Sequence, residues 1–266
     1  AWAPWAFGLA VTSVRSGRVW PDGRLVVVLV LQFLSGYLQG SVYLAAAVAF
    51  YYLYSFTWPP EDAPTPGRRW TPVAQLGVLA VLSACAAAFL LLPASTLVSE
   101  SGRSAGLPYR EAPKGSWAVR DLASLLFPFF GAVDGAPHRS LADHLAYVGW
   151  MLTAFIPFAF FRRDRLRISI FLGVTAAGAC ALALGDAGGL FRLQHELLPG
   201  LRVPARVLFL ATVSFALLGG IGLEAVLALA TERRLQRLVL PMAVSGVGIA
   251  AAIAVVLINP QATPLG

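Results

Sequence analysis

Charge is what this chain has least of. Only 12% of its 266 residues are Asp, Glu, Lys or Arg, against about 25% in soluble domains. At the same time 58% are hydrophobic and the mean hydropathy is +0.73. That balance excludes an ordinary soluble domain and predicts a polytopic membrane protein. Lysine is nearly missing: of 20 basic residues, Lys114 alone is not arginine. Cysteine is scarce too. Cys85 and Cys180 each lie inside an apolar run, where a lone thiol packs as a small residue. No CxxC or paired Cys/His spacing offers a disulfide framework or a zinc site. His138, His144 and His195 are too dispersed to form a ligand set. The net charge of +7 is scattered between apolar runs rather than gathered into a stripe, which argues against nucleic acid as a partner.

What the chain has is apolar length. A helix that crosses a bilayer needs about 20 apolar residues, and the candidates are 71–93, 144–161, 168–184, 203–229 and 238–258. Residues 25–57 are too long for one crossing. As a straight helix they would reach about 50 Å, well past the ~30 Å hydrocarbon core. The alternative is a hairpin broken at Gly36-Tyr-Leu-Gln-Gly40. Arginine decides between the two. "RRDRLR" (162–167) and "TERRLQR" (231–237) belong on the cytoplasmic side, and so do Arg15, Arg18 and Arg24. All of these can be inside together only if 25–57 crosses twice. Twelve basic residues then fall in about 39 cytoplasmic positions and eight in about 71 outer ones.

The expected fold is therefore all-α: a transmembrane helical bundle of about seven crossings after a helix remnant at 1–12. We read 1–266 as a single transmembrane domain. Both ends abut apolar runs, which suggests an internal fragment of a longer chain. The outer surface would hold a long loop over 95–143, a second over 185–202, and the hairpin tip near Gln39. Within the long loop, "ASLLFPFFGA" (123–132) is too apolar to face water and is expected to roof a lipid-accessible cavity.

Polar residues at the span ends supply the candidate site. In "LLPGLRVPARVLFLATVSFALLGGIGLE" (197–224), Arg202 and Arg206 lie four apart and would share a helical face. Pro204 suits the first turn of that helix. Two guanidiniums beside a helix N-terminus suit a phosphate, although arginines at such a mouth also reach for lipid headgroups. Glu100, Arg103, Arg110 and Glu111 suit self-neutralising loop salt bridges, or acid/base work by the two carboxylates. Gln39 must find a partner if buried, in the turn or in a ligand. Glu224 is positioned to pair with Arg233 or Arg234. "GGIGLE" (219–224) looks like a nucleotide-binding glycine turn but ends a membrane helix, so it reads as close helix packing.

Several stretches together resemble the YfhO-like family of bacterial membrane proteins. "LSGYLQGSVYLAAAVAFYYL" (34–53) is similar to a segment that there reads Gly-His-Pro-Gln before an apolar helix; here Tyr37-Leu38 stand in place of His-Pro. "LLPASTLVSESGRSAGLPYREA" (91–112) resembles the family's Leu-Pro helix end and Ser-x-Arg loop. "LLFPFFGA" (125–132) resembles its Phe-Pro-x-Phe-Phe-Gly motif, "YVGWMLTAFIPFAFFRR" (147–163) the next span, and 198–224 its Arg-x-Pro-x-Arg helix. The family is similar to the GT-C superfamily, which transfers sugars from polyprenyl-phosphate donors at the outer membrane face. The resemblance implies roles for Arg202, Arg206 and Arg103 in holding a lipid phosphate, and for Gln39, Glu100 and Ser101 nearby. Pro128, Gly131 and Pro204 would be structural. The catalytic carboxylate would lie in a loop before Ala1, and a divalent metal is allowed, although no ligands for one are visible.

The implied partners are the lipid bilayer of a bacterial plasma membrane, a polyprenyl-phosphate-linked sugar and an envelope polymer that accepts the sugar. Two other classes compete with this enzyme reading. One is a transporter or flippase that holds the same headgroups without chemistry, and the other is an envelope-assembly scaffold. No acidic residue lies at mid-span to serve as a proton relay, which favours the enzyme. The topology is testable. In a background lacking Cys85 and Cys180, a cysteine at position 39 should label from outside intact cells; labelling from the cytoplasm alone would exclude the hairpin.

Overall fold

The computed structural model describes residues 2–60, 69–100, 109, 112–113, 115–126, 146–198, 200–201, 203–231 and 239–258. Among these every regular element is helical. Three helical stretches, Thr71–Leu97, Leu166–Ala183 and Pro204–Leu229, are long and apolar enough to cross a membrane. The chain divides into two compact units, Ala1–Gly106 and Leu107–Gly266.

The first unit holds α1 (Ala3–Arg15), α2 (Gly23–Leu34), α3 (Leu38–Thr57) and α4 (Thr71–Glu100). Helix α2 starts at Asp22, whose carboxylate accepts the Arg24 N–H at 2.9 Å, the usual service of an N-cap. The Arg24 guanidinium on that carboxylate holds its pKa below the ordinary range. The helix stops at Gly36, whose φ of +77° is left-handed backbone that glycine adopts at little cost. The run 25–57 is thus two helices, broken at 35–37. Ser41 spans the break, its Oγ 2.9 Å from the Gln32 carbonyl oxygen and 3.0 Å from that of Tyr37. Gln39 is buried in the first turn of α3 and donates to the Tyr43 hydroxyl at 3.1 Å. A label is therefore better placed at the exposed Tyr37 or Leu38. At about 1.5 Å per residue, the 12 residues of α2 span roughly 18 Å.

Helix α4 corrects one boundary. It runs through Pro93 to Glu100, so the loop expected from residue 95 begins later. Pro93 removes a backbone donor, yet the helix continues, and two hydroxyls in the turn beyond it fold back on the backbone. Ser95 Oγ donates to the Leu92 carbonyl at 2.7 Å, and Thr96 Oγ1 does so at 2.9 Å. Only 17% of the most apolar stretch of α4 is buried, and Val81, Phe89 and Leu92 lie open on its surface. Such a face suits hydrocarbon rather than water. Among the buried residues of α4 is Gln75, fully enclosed, whose Nε2 donates to the carbonyls of Ser13 at 2.9 Å and Arg18 at 2.6 Å. One amide thus fastens the α1–α2 connection to α4.

The second unit contains α5 (Trp150–Ala159), α6 (Leu166–Ala183), α7 (Phe191–Leu197), α8 (Leu208–Thr231) and α9 (Val239–Ile258). Helix α5 is shorter than the expected 144–161, because Gly149 at φ +97° sets its start. Helix α8 packs against both α5 and α6, and α9 covers another side of α5. Ser245 Oγ of α9 donates to the Ala154 carbonyl at 2.6 Å.

Glycine makes the α5–α8 approach close, as "GGIGLE" suggests. A Cβ on Gly222 would fall on the Phe155 carbonyl, 2.7 Å from its carbon. One on Gly219 would lie 2.7 Å from the Leu152 carbonyl oxygen. This crossing also gives Glu224 a partner from the end of α5. Its Oε1 meets Arg162 Nη1 at 3.3 Å, because Arg162 follows the end of α5 against α8. Arg233 and Arg234 lie outside the described residues.

The crossing predicts a sharp contrast between neighbouring glycines. Gly222→Ala should lower stability in detergent by about 1–3 kcal/mol through overpacking. Gly220→Ala meets nothing within 4 Å and should be neutral or slightly stabilising. Equal thermal unfolding midpoints for the two variants would contradict the close approach.

Candidate functional site

Helix α6 delivers the chain to a crowded junction. At its C-terminal end, the Trp117 N–H donates to the Ala183 carbonyl at 2.8 Å. Gly185 follows at φ +59°, where a side chain would run into Ser116. Gly115, at φ +86°, lets Val203 Cγ1 come within 3.1 Å of where its Cβ would stand. The 310 turn Pro204–Val207 then packs on α6 and leads into α8. Segments 112–126, 183–188 and 203–207 therefore converge on one end of the bundle.

Arg206 sits in that last turn, half-buried, between the buried Ala205 and Val207. Pro204 opens the turn as expected and is fully buried, while α8 proper starts only at Leu208. Val203 is the departure. It stands at φ +55°, ψ 76°, a left-handed conformation that costs a β-branched residue about 1–3 kcal/mol. The helical face expected to carry both Arg202 and Arg206 does not extend back across Val203. Arg202 itself lies outside the described residues, as do Arg103, Ser101, Pro128 and Gly131. Of the apolar roof, only 123–126 is described: Ala123 and Ser124 are buried in or beside the 310 helix Val119–Leu125. Gln39 and Glu100 belong to the first unit, Gln39 in the α2–α3 turn and Glu100 exposed at the end of α4.

The structure also assembles groups that sequence reasoning passed over. The Tyr109 hydroxyl donates to the Asp186 carboxylate across 77 positions of sequence. That hydrogen bond, with the carboxylate's charge, raises the Tyr109 pKa above its ordinary value. Tyr109 packs edge-on against His195, ring centroids 5.2 Å apart, and lies 6.0 Å from Phe191. His195 Nδ1 and Trp117 Nε1 are buried without a hydrogen-bond partner among the described residues. Nearby in sequence, Asp121 is buried. Its Oδ2 accepts the Ala118 N–H at 2.8 Å, and Arg120 Nε lies 3.9 Å from its Oδ1.

No family model, no characterised protein and no solved structure matches this chain. The site is read from its own chemistry. Among the described residues no group of three or more His, Cys, Asp and Glu side chains is placed to hold a metal ion. What stands at this end is a carboxylate–phenol pair, a buried carboxylate with an adjacent guanidinium, and Arg206 at the start of a long apolar helix. Carboxylates and phenols exchange protons, and guanidiniums grip phosphates.

The Tyr109–Asp186 pair makes a spectroscopic prediction. Asp186→Asn removes the charge that disfavours the phenolate, so one tyrosine should ionise at lower pH than in the parent. Absorbance titration at the phenolate band, compared with the parent, reads this directly. Superimposable curves would mean the two side chains do not meet in solution.

Proposed function

We propose that this chain is part of a YfhO-like, GT-C-type membrane glycosyltransferase in the bacterial plasma membrane, with about seven crossings. It would move a sugar from a polyprenyl-phosphate donor to an envelope glycopolymer or lipid. The observation that carries the reading is the station of Arg206. A buried-sided, proline-opened turn presents a guanidinium at the head of a 26-residue apolar stretch. A polyprenyl phosphate has the matching division, a charged head at the interface above an apolar tail.

The chemistry follows from that placement. An acceptor hydroxyl loses its proton to a carboxylate and attacks the anomeric carbon, while the bond from that carbon to the lipid phosphate breaks. The departing phosphate gains charge, and a guanidinium already in place stabilises it. The resemblance puts the deprotonating carboxylate in a segment before Ala1. Within this chain Arg206 and Arg202 serve the phosphate, with Arg103 as a further cation.

The test is binding of a polyprenyl-phosphate analogue to purified protein, with folding followed separately. Arg206→Ala should weaken binding by about 10- to 150-fold if a charge-assisted contact of about 1.5–3 kcal/mol is lost. Arg206→Lys should rescue only in part, because a point charge lacks the bidentate geometry. Unchanged affinity would leave Arg206 as a headgroup-seeking residue and end this reading of the turn. Release of free polyprenyl phosphate from a sugar-loaded donor separates transfer from flipping, which leaves the donor intact.

A further inference from the structure

A second polar site lies at the other end of α6. The turn between α5 and α6 carries Arg162, Arg163, Asp164 and Arg165, and beside it a cavity of about 320 Å³ opens against α8. Helix α6 has 18 residues, about 27 Å at 1.5 Å per residue. This cavity and the Arg206 end are thus separated by close to the thickness of a hydrocarbon core.

The charges in the turn are unequally engaged. Arg162 is held on two sides: its Nε donates to Asp164 at 2.9 Å and its Nη1 to Glu224 at 3.3 Å. The hydrogen bond from Arg162 holds the Asp164 carboxyl below its ordinary pKa, so the pair stays ionised. Arg165 Nε lies 3.7 Å from the same carboxylate. The side chain of Arg163 has no hydrogen bond or ion pair among the described residues, is exposed, and lines the cavity. Of Arg162, Arg163 and Arg165, the first and last meet the carboxylates of Asp164 and Glu224, and Arg163 adds a charge that neither offsets, a positive surplus among the described residues. The rest of the wall is apolar: Phe161, Ala225, Ala228 and Leu229.

A free guanidinium above an apolar wall selects a ligand with an anion joined directly to hydrocarbon. We propose that this cavity seats the phosphate head of an anionic phospholipid, gripped by Arg163, with the first carbons of the lipid against Ala228 and Leu229. Basic pockets between membrane helices take such heads. A zwitterionic lipid is disfavoured because its ammonium would meet the same positive surplus. This inference is independent of glycosyl transfer and of Arg206.

Native mass spectrometry of the purified chain tests it, with phosphatidylglycerol and phosphatidylcholine offered separately and inorganic phosphate as competitor. Phosphatidylglycerol should be retained over phosphatidylcholine. Arg163→Ala should weaken that retention about two- to fivefold, the size expected of an exposed cation. Arg69→Ala removes an equal charge, from an exposed arginine 5.2 Å from the Phe56 ring, and should change nothing. Ala228→Trp keeps every charge but fills the cavity, and should also lose the lipid. Equal loss in the Arg69 and Arg163 variants, or none in the Arg163 variant, would overturn the site. Displacement of the lipid by millimolar inorganic phosphate would overturn the lipid as its occupant.

Discussion

The second unit depends on a contact made by absent side chains. Where α5 crosses α8, Gly222 leaves room for the Phe155 carbonyl and Gly219 for that of Leu152. Dispersion attraction falls steeply with separation, so backbones in near contact gain what larger residues at the same positions would forfeit. In a bilayer this matters more than in water, since lipid tails offer no hydrophobic penalty for keeping helices apart. The same crossing carries Arg162 to Glu224 and shapes the cavity beside them. Because α8 also packs on α6, it fixes the turn that presents Arg206.

The two ends of α6 carry different chemistry. One end gathers Tyr109, Asp186 and His195 with buried polar atoms that have no hydrogen-bond partner among the described residues. The other gathers arginines partly cancelled by Asp164 and Glu224. Between them α6 is apolar, with Ser169 and Thr175 returning their hydroxyls to backbone carbonyls. An apolar rod with a distinct polar cluster at each end is what a bilayer with two unlike faces requires.

Much of the helical plan was legible in the sequence, because apolar length and glycine placement are local signals. The break of 25–57 within 36–40 followed from length together with the placement of arginines, and the packing role of Gly219 and Gly222 from small residues within an apolar run. Boundaries were less legible. Pro93 looked like an ending, but the helix runs on through it to Glu100. Gly149 shortened α5 through its backbone angle, which composition does not reveal. The site was legible only in part. Arg206 stood out as a cation at the head of an apolar run, while the left-handed Val203 that separates it from Arg202 gave no local sign. Tyr109–Asp186 escaped notice because its partners are 77 positions apart. Arg162–Glu224 escaped for a similar reason, its partners standing 62 positions apart.

The Gln75 amide imposes an order on assembly. A chain made from its N-terminus completes α1 and α2 before residue 75 exists. Until then the Arg18 carbonyl lacks the donor that later closes on it, while the Ser13 carbonyl already accepts from Ser16. Gln75 thus works as a late latch on the α1–α2 connection, closed when α4 docks.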